Sequence, residues 1–183
     1  MQVHRSHKHA RPGRSGGRVT LAIMTLLVVG LTASIASAVG PTSVTRTGGL
    51  HFVGSPNVEA TKTTTSAFLT ATGEVAGAGS TGGTADLSAD VEVVRGCINR
   101  GSQGQQPSGL QRSFESTTGT VEFDTTRQGR GSFTVSTEPV DVSGFTCPDQ
   151  MVPVLVSATF TNITLTVTSQ TGTTTAFFPD IDP

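Results

Sequence analysis

The sequence predicts an all-β protein, and within that class an antiparallel β-sandwich of about eight short strands, with a small β-barrel as the alternative. Three observations predict this class. Thr and Gly are abundant, with 22 glycines among 183 residues, whereas strong helix formers are sparse. Short segments that alternate apolar and polar residues are separated by turn residues, as strands are. No helical segment that could cover a parallel sheet lies between them.

The N-terminal segment 1–38 has the layout of a signal peptide. A basic start precedes an apolar run at 19–36, which ends in the small residues of 36–38. We therefore expect export by the general secretory route and cleavage after Ala38. An uncleaved anchor helix is the alternative, because a run of about 18 residues is near the lower limit for crossing a bilayer. The basic residues are Arg5, Lys8, Arg11, Arg14 and Arg18.

Cleavage after Ala38 changes the charge of the protein. The exported chain keeps all 13 acidic residues but only 7 of the 12 basic ones, so its net charge is −6. An acidic surface without a stripe of Lys and Arg argues against binding to nucleic acid or to anionic lipid. We expect a secreted, extracellular protein with no nucleic acid partner and no membrane contact after cleavage.

The exported part is long enough for one hydrophobic core. We expect a flexible lead at 39–49, a single β domain at 50–178 and a short tail at 179–183. Cys97 and Cys147 are the only cysteines, and an even pair in an exported protein predicts a disulfide. By the chain-entropy model, closing a loop of about 50 residues stabilises the fold by roughly 4 kcal/mol.

The first strands surround a glycine-rich segment. We expect a strand at 50–53 and a second at 67–75, followed by a mobile loop at 77–83. Residues 77–82 match the GxGxxG dinucleotide fingerprint, but no helix follows them, so we reject nucleotide binding. In the third strand, 85–94, apolar residues alternate with acidic or hydroxyl residues, which predicts one face in the core and one in water.

The second half of the chain contains the other strands. A polar loop without periodicity is expected at 99–110. A turn at 125–131 is expected to join its two neighbouring strands as a hairpin. Apart from the central strand, the predicted strands of this half are 114–118, 120–124, 132–137 and 173–178.

The stretch 147–167 contains the predicted central strand. Its apolar residues change parity after Phe160, and the three-residue step to Ile163 predicts a β-bulge at Thr161 and Asn162. With this bulge one face can stay buried along the whole strand. Pro153 has no backbone donor and is expected at the start of the strand. The expected buried face consists of Val154, Val156, Ala158, Phe160, Ile163, Leu165 and Val167.

The exported chain offers little for catalysis. His51 is its one imidazole and no Gly-x-Ser-x-Gly motif is present, so we expect no catalytic residues. Paired carboxylates could serve glycoside hydrolysis, but those of this chain occupy the outward phase of their strands and are interpreted as solvated. No cofactor and no metal site is expected, because the acidic residues lack the spacing of a dedicated site. The carboxylates considered are Asp86, Asp90, Glu92, Glu122 and Asp124.

Three hypotheses for function follow, in order of preference. The first is a secreted non-enzymatic protein that acts on an unknown extracellular partner or polymer through surface contacts. The second is a glycan- or small-ligand-binding module, which the absence of Trp and Tyr weakens because flat aromatic rings with a polar edge hold sugars best. The third is a secreted hydrolase. The ligand-binding hypothesis would use the loops 77–83 and 99–110, and its candidate binding residues are Asn99, Arg100, Gln103 and Gln105.

Several short segments occur together in a recognisable order. They are 51–52, 74–77, 97–101, 147–148 and 154–164, and they include Cys-x-Asn, Cys-Pro and Ser-x-x-x-Thr-Asn-Ile. In this order they resemble a family of small secreted actinomycete proteins of unknown function, over most of the chain after Leu50. This chain departs from the family's double glycine, since Arg100 precedes a single Gly101. The resemblance implies secretion and carries over no functional residue.

Overall fold

A computed structural model describes residues 34–35, 38–101 and 106–183. Within these residues the chain forms strands and no helix, and so no helix of the described part could cross a membrane. The strands are β1 (Ser34–Ile35), β2 (Ser43–Gly48), β3 (His51–Phe52), β4 (Asn57–Lys62), β5 (Ser66–Ala76), β6 (Gly83–Asn99), β7 (Ser108–Phe123), β8 (Gly131–Ser136), β9 (Val140–Asp141), β10 (Met151–Ser169) and β11 (Gly172–Phe177).

The strands form two antiparallel sheets that pack as a sandwich, which confirms the predicted fold class. In the first sheet β3 and β4 lie along one edge of β5, β8 and β9 lie along the other, and β1 pairs with β4. The second sheet has the order β2-β11-β10-β6-β7. Both sheets contribute side chains to one core. Its fully buried residues include Val58, Leu69 and Val135 from the first sheet and Leu87, Phe160 and Leu165 from the second.

Strand β10 is the middle strand of the second sheet, as predicted, and it carries the predicted bulge. The pairing of β10 with β6 shifts register between Thr161 and Thr164, and Asn162 adopts a φ of 52° there. Asn tolerates this left-handed conformation better than most residues. Because of the shift, Phe160 and Ile163 are both buried on the same side of the strand.

The predicted buried face of β10 is wrong at Val154 and Val156, because the strand contains a second bulge. Its register against β6 also shifts between Leu155 and Ser157, so Leu155 and Ala158 point into the core. Val154 and Val156, which the alternation placed in the core, are only half-buried. The apolar residues Val154, Val156, Ala158 and Phe160 follow one another at every second position, so the sequence pattern gave no sign of this bulge.

The hairpin predicted around 125–131 is wrong. The predicted strands 114–118 and 120–124 are one strand, β7, which pairs with β6, whereas β8 pairs with β5 in the other sheet. The turn therefore crosses from sheet to sheet. The reason is that the apolar side chains on both sides of the turn face the core, where the rings of Phe123 and Phe133 lie 6.1 Å apart.

The two ends of the domain are more ordered than the sequence suggested. The lead predicted as flexible at 39–49 contains β2, which pairs with β11 along its whole length. All of β2 is exposed, and a strand without a buried face has no apolar alternation to reveal it. In the tail at 179–183, Ile181 is buried and its backbone exchanges two hydrogen bonds with Phe160.

The two sheets meet along β7. The backbone N–H of Glu138 donates to the carbonyl of Thr118, and the hydroxyl of Thr117 donates to the carbonyl of Glu138 at 2.6 Å. Gly119 lies at this contact, where a Cβ would overlap the carbonyl oxygen of Ser136. Glycine is therefore required for the close approach of β7 to β8.

The predicted disulfide between Cys97 and Cys147 is present, with a Cα separation of 5.8 Å. Neither cysteine is free. Cys97 lies near the end of β6, opposite Pro153 of β10, and Cys147 precedes β10. The bond therefore ties the turn that leads into the central strand to the neighbouring strand, and it closes a loop that includes β7, β8 and β9.

Replacing both cysteines with Ser should lower the free energy of unfolding by about 2–5 kcal/mol, because the loop closure no longer restricts the unfolded chain. Denaturant unfolding of the unaltered protein and of the double variant measures the difference. Thiol titration of unfolded, unreduced protein is the control, and two reactive thiols per chain would show that the bond does not form.

Candidate functional site

The outer face of the second sheet carries a regular array of hydroxyl side chains. Cross-strand pairs place them in three adjacent rows, each of which crosses all five strands from β2 to β7. We call these rows the hydroxyl face. They are Thr47–Thr173–Thr168–Thr84–Glu122, Thr45–Thr175–Thr166–Asp86–Thr120 and Ser43–Phe177–Thr164–Ser88–Thr118.

The array follows from the alternation of each strand. Along β10, Leu165 and Val167 point into the core, so the threonines between them must point outward. The same holds for β6, where Ala85 and Leu87 are buried. Neighbouring positions of the array are about 4.8 Å apart across the strands and about 6.8 Å apart along them.

Neighbouring hydroxyls of β10 and β11 are hydrogen-bonded to each other at two places in the array. The hydroxyl oxygens of Thr166 and Thr175 lie 3.2 Å apart, and those of Thr168 and Thr173 lie 3.4 Å apart. In each pair one hydroxyl donates, and the other keeps its proton for a further acceptor. The rows contain charge only at Asp86 and Glu122, so the part of the array on β2, β11 and β10 is uncharged.

A groove of about 380 Å³ opens at one end of the same face. Phe114 lines it, and the side chain of Phe114 is 75% exposed. We call it the Phe114 groove. Its outward-facing residues are Asp90, Glu92, Phe114, Ser116, Thr159 and Thr161.

Asp90 is held in a fixed position in this groove. The amide of Asn162 donates to Oδ2 of Asp90 and the hydroxyl of Ser116 donates to its Oδ1, both at 2.9 Å. These bonds, that from Asn162 first, hold the pKa of Asp90 below its ordinary value. The bulge in β10 thus directs Asn162 toward the carboxylate, a common use of bulges near sites.

A second cleft, of about 470 Å³, lies between the sheets near Arg95. The side chain of Arg95 is 13% exposed and donates to Glu115 at 2.6 Å, to Ser113 at 2.7 Å and to the carbonyl of Asp141 at 2.7 Å. The Arg95 hydrogen bond lowers the pKa of Glu115. The N–H and hydroxyl of Ser143 lower the pKa of Asp141.

Arg95, Glu115 and Asp141 of this second cleft have hydrogen-bond partners within the protein. A general acid for glycoside hydrolysis needs a raised pKa, and the pKa values of Glu115 and Asp141 are shifted the other way. We interpret the cluster as structural, because it neutralises an arginine that would otherwise face the core unpaired.

The two described members of the predicted binding set, Asn99 and Arg100, line neither the Phe114 groove nor the second cleft. Asn99 ends β6 opposite Met151, and Arg100 is exposed in the turn that follows, where its N–H donates to the carbonyl of Gln150. Gln103 and Gln105 lie outside the described residues. The binding role of all four residues stays a prediction.

The loop 77–83 borders the hydroxyl face, because its last residues line a pocket of about 360 Å³ with Thr84, Glu122 and Thr168. The loop before β6 is hydrogen-bonded to its neighbours, since Gly129 accepts from Ala78 and Thr125 donates to Gly79. His51 is exposed, and its Nδ1 lies 3.0 Å from the carbonyl oxygen of Gly49. Among the described residues, no hydroxyl group is hydrogen-bonded to this ring.

The carboxylates considered from the sequence lie on outward positions. Asp86 accepts a hydrogen bond from Thr120 at 2.6 Å, and Glu92 pairs with Arg112 at 3.0 Å. Among the described residues, no group of three or more His, Cys, Asp or Glu is placed to hold a metal ion. Sequence reasoning missed Phe114 as an exposed aromatic residue, although its position between Ser113 and Glu115 gave it no apolar neighbours.

No protein-family model matches this chain, and no curated protein or solved structure proved similar to it.

The pH dependence of stability should reveal the Arg95–Glu115 pair. Folding lowers the pKa of Glu115 from its ordinary value of 4.5. The pair therefore stabilises the protein fully at a pH above this ordinary pKa, and the stabilisation is lost as the pH falls through the lower pKa of the folded state. Glu115→Gln should therefore cost about 1 kcal/mol at pH 7, allowing for partial exposure, and much less at pH 3.

Denaturant unfolding at both pH values measures this cost. The matched control is Glu92→Gln, whose partner Arg112 is largely exposed and should contribute little at either pH. An equal cost of Glu115→Gln at pH 7 and pH 3 would contradict the assignment.

Proposed function

We propose that this chain is a secreted, non-enzymatic extracellular protein that acts through surface contacts, and that the hydroxyl face binds a neutral glycan polymer. The observation that carries the proposal is the ordered array itself. It presents donors and acceptors at a regular spacing over five strands, and its β2, β11 and β10 positions carry no charge. A polymer with a regular pattern of hydroxyls is the matching partner.

The composition of the face favours a glycan over a protein partner. Protein interfaces depend on a few buried anchors, usually Trp, Tyr or Arg, and Ser and Thr are under-represented among them. The hydroxyl face has Phe177 as its one large apolar side chain, 40% exposed. Such a surface can make many weak hydrogen bonds but offers no deep anchor, which suits a long polymer that binds through repeated contacts.

The comparison with the first sheet supports the choice of face. The outer positions of β4, β5 and β8 also carry hydroxyls, but Glu59 lies in the row of Thr70 and Ser136, and Glu74 lies beside Ser132. Its rows cross only three strands, so that face is narrower, although both faces have acidic residues within their rows. The net charge of −6 on the exported chain further disfavours an anionic polymer.

Export is part of the proposal. A disulfide is consistent with an oxidising compartment, and it agrees with the signal-peptide layout of 1–38 and with the resemblance to small secreted proteins. An enzymatic role has no comparable support, because His51 contacts a backbone carbonyl and the pKa values of Glu115 and Asp141 in the cleft near Arg95 are lowered.

The proposal predicts that protein recovered from culture supernatant, with an intact mass that places its first residue at Val39, is removed from solution saturably by microcrystalline cellulose or by chitin. The double variant Thr45→Arg/Thr175→Arg should bind at least tenfold more weakly, because two long side chains in the middle row of the uncharged part of the array prevent close contact. Depletion assays at several polymer loadings measure the affinity.

The matched control is Thr134→Arg, which places the same side chain on the exposed outer face of the first sheet. It should bind like the unaltered protein, and all variants should keep the same thermal unfolding midpoint within a few degrees. The proposal fails if the unaltered protein shows no saturable binding to either polymer, or if the control loses as much affinity as the double variant.

A further inference from the structure

Phe114 is exposed without a structural reason. It lies on β7 with its ring on the outer face, where its cross-strand neighbour is Glu92. The ring pairs found among the described residues join Phe52, Phe123 and Phe133, and Phe114 is in none of them. A single exposed apolar side chain is common on protein surfaces, but this ring, 75% exposed, lines the same groove as the carboxylate that Asn162 and Ser116 hold in place.

Asp90 adds directed acceptors beside this ring. Each of its carboxylate oxygens accepts one hydrogen bond from the protein, and each has room for a second. Its lowered pKa keeps the group ionised and therefore without a proton to donate. A ligand in the groove must supply O–H or N–H donors to Asp90 and an apolar surface to Phe114.

The groove continues the hydroxyl face. Asp90 pairs with Ser116 on one side and Thr161 on the other, which makes the row next to Thr164–Ser88–Thr118. A polymer lying on the hydroxyl face can therefore reach the groove without a gap.

We infer that the Phe114 groove is a subsite for one pyranose ring of the bound glycan, an inference that rests on the proposed function. The C–H face of the ring packs on Phe114, and two adjacent donors of the ring, two hydroxyls or a hydroxyl and an acetamido N–H, donate to the two oxygens of Asp90. Thr159 and Thr161 line the opposite side and can bond further hydroxyls. The subsite gives the protein a preference for neutral sugars with two such donors on neighbouring carbons.

An organic cation is the competing occupant, since aromatic rings and carboxylates also attract ammonium groups. The groove fits a cation less well. Glu92 is already paired with Arg112, a positive charge beside the ring, and a single ring does not form the cage that ammonium ligands require.

The test uses isothermal titration of exported protein with cellohexaose and with chitohexaose, together with the cellulose and chitin depletion assay. Phe114→Ala should weaken hexasaccharide binding about tenfold, because the stacking contact is lost. Phe114→Tyr, which keeps the ring, should bind like the unaltered protein. Asp90→Asn should weaken binding several-fold, because the hydrogen bonds lose their charged acceptor.

The control is Leu110→Ala, which removes another exposed apolar side chain of β7 outside the groove and should leave binding unchanged. If Phe114→Ala binds polymer and hexasaccharide as the unaltered protein does, the subsite is wrong while the function of the hydroxyl face stands. If the unaltered protein binds neither polymer nor hexasaccharide, both are wrong. Competition by choline, or loss of binding in 0.5 M NaCl, would overturn the subsite in favour of a cation site.

Discussion

The structure depends on the long antiparallel pairing of β10 with β6. It runs from Met151 against Asn99 to Ser169 against Gly83, through the middle of the second sheet. Because side chains alternate along each strand, this one pairing places Leu87, Phe160 and Leu165 in the core and the threonines and carboxylates of both strands outside. A slip of one residue would exchange the two sets and expose the core. The core and the hydroxyl face are therefore specified together.

Three features keep this pairing in register. The bulge at Asn162 restores the buried phase after Phe160, and the bulge after Leu155 does the same for the first part of β10. At one end of this pairing, the Cys97–Cys147 disulfide links the segment that precedes β10 to strand β6. The Asn162 bulge also has a consequence on the outer face, since it brings the Asn162 amide to Asp90. The bulge that restores the register of β10 thus also orients the carboxylate of Asp90 in the Phe114 groove.

Local patterns in the sequence predicted the sandwich class, the central strand, the Asn162 bulge and the disulfide. Each of these depends on alternation or on cysteine number, which a single sequence displays. The assignment of β7 and β8 to different sheets was not predictable, because their alternation is the same in a hairpin and in a crossing between sheets. Strand β2 was missed because it buries none of its six residues, and β4 because Val58 and Ala60 are its only inward apolar residues.

The candidate site was harder to predict than the fold. The alternating threonines of 164–168 are visible in the sequence, but their lateral neighbours Thr173, Thr175 and Ser88 become apparent only from the register of three strands. Threonine is also a common residue on exposed strand faces, so its presence alone carries no functional signal. The ligand-binding hypothesis was placed on the loops 77–83 and 99–110 instead, because their sequences show no strand or helix periodicity that would explain them structurally.

The central claim is that the outer face of the β10–β6 ladder is the binding surface. Threonine-methyl NMR tests it directly, with the protein titrated with cellohexaose and with chitohexaose. The resonances of Thr159, Thr161, Thr166 and Thr175 should shift together and saturate at one affinity, while those of Thr72 and Thr134 on the opposite sheet stay unchanged. Shifts confined to Thr117, which lines the cleft near Arg95, with the threonines of the outer face unchanged, would contradict the claim.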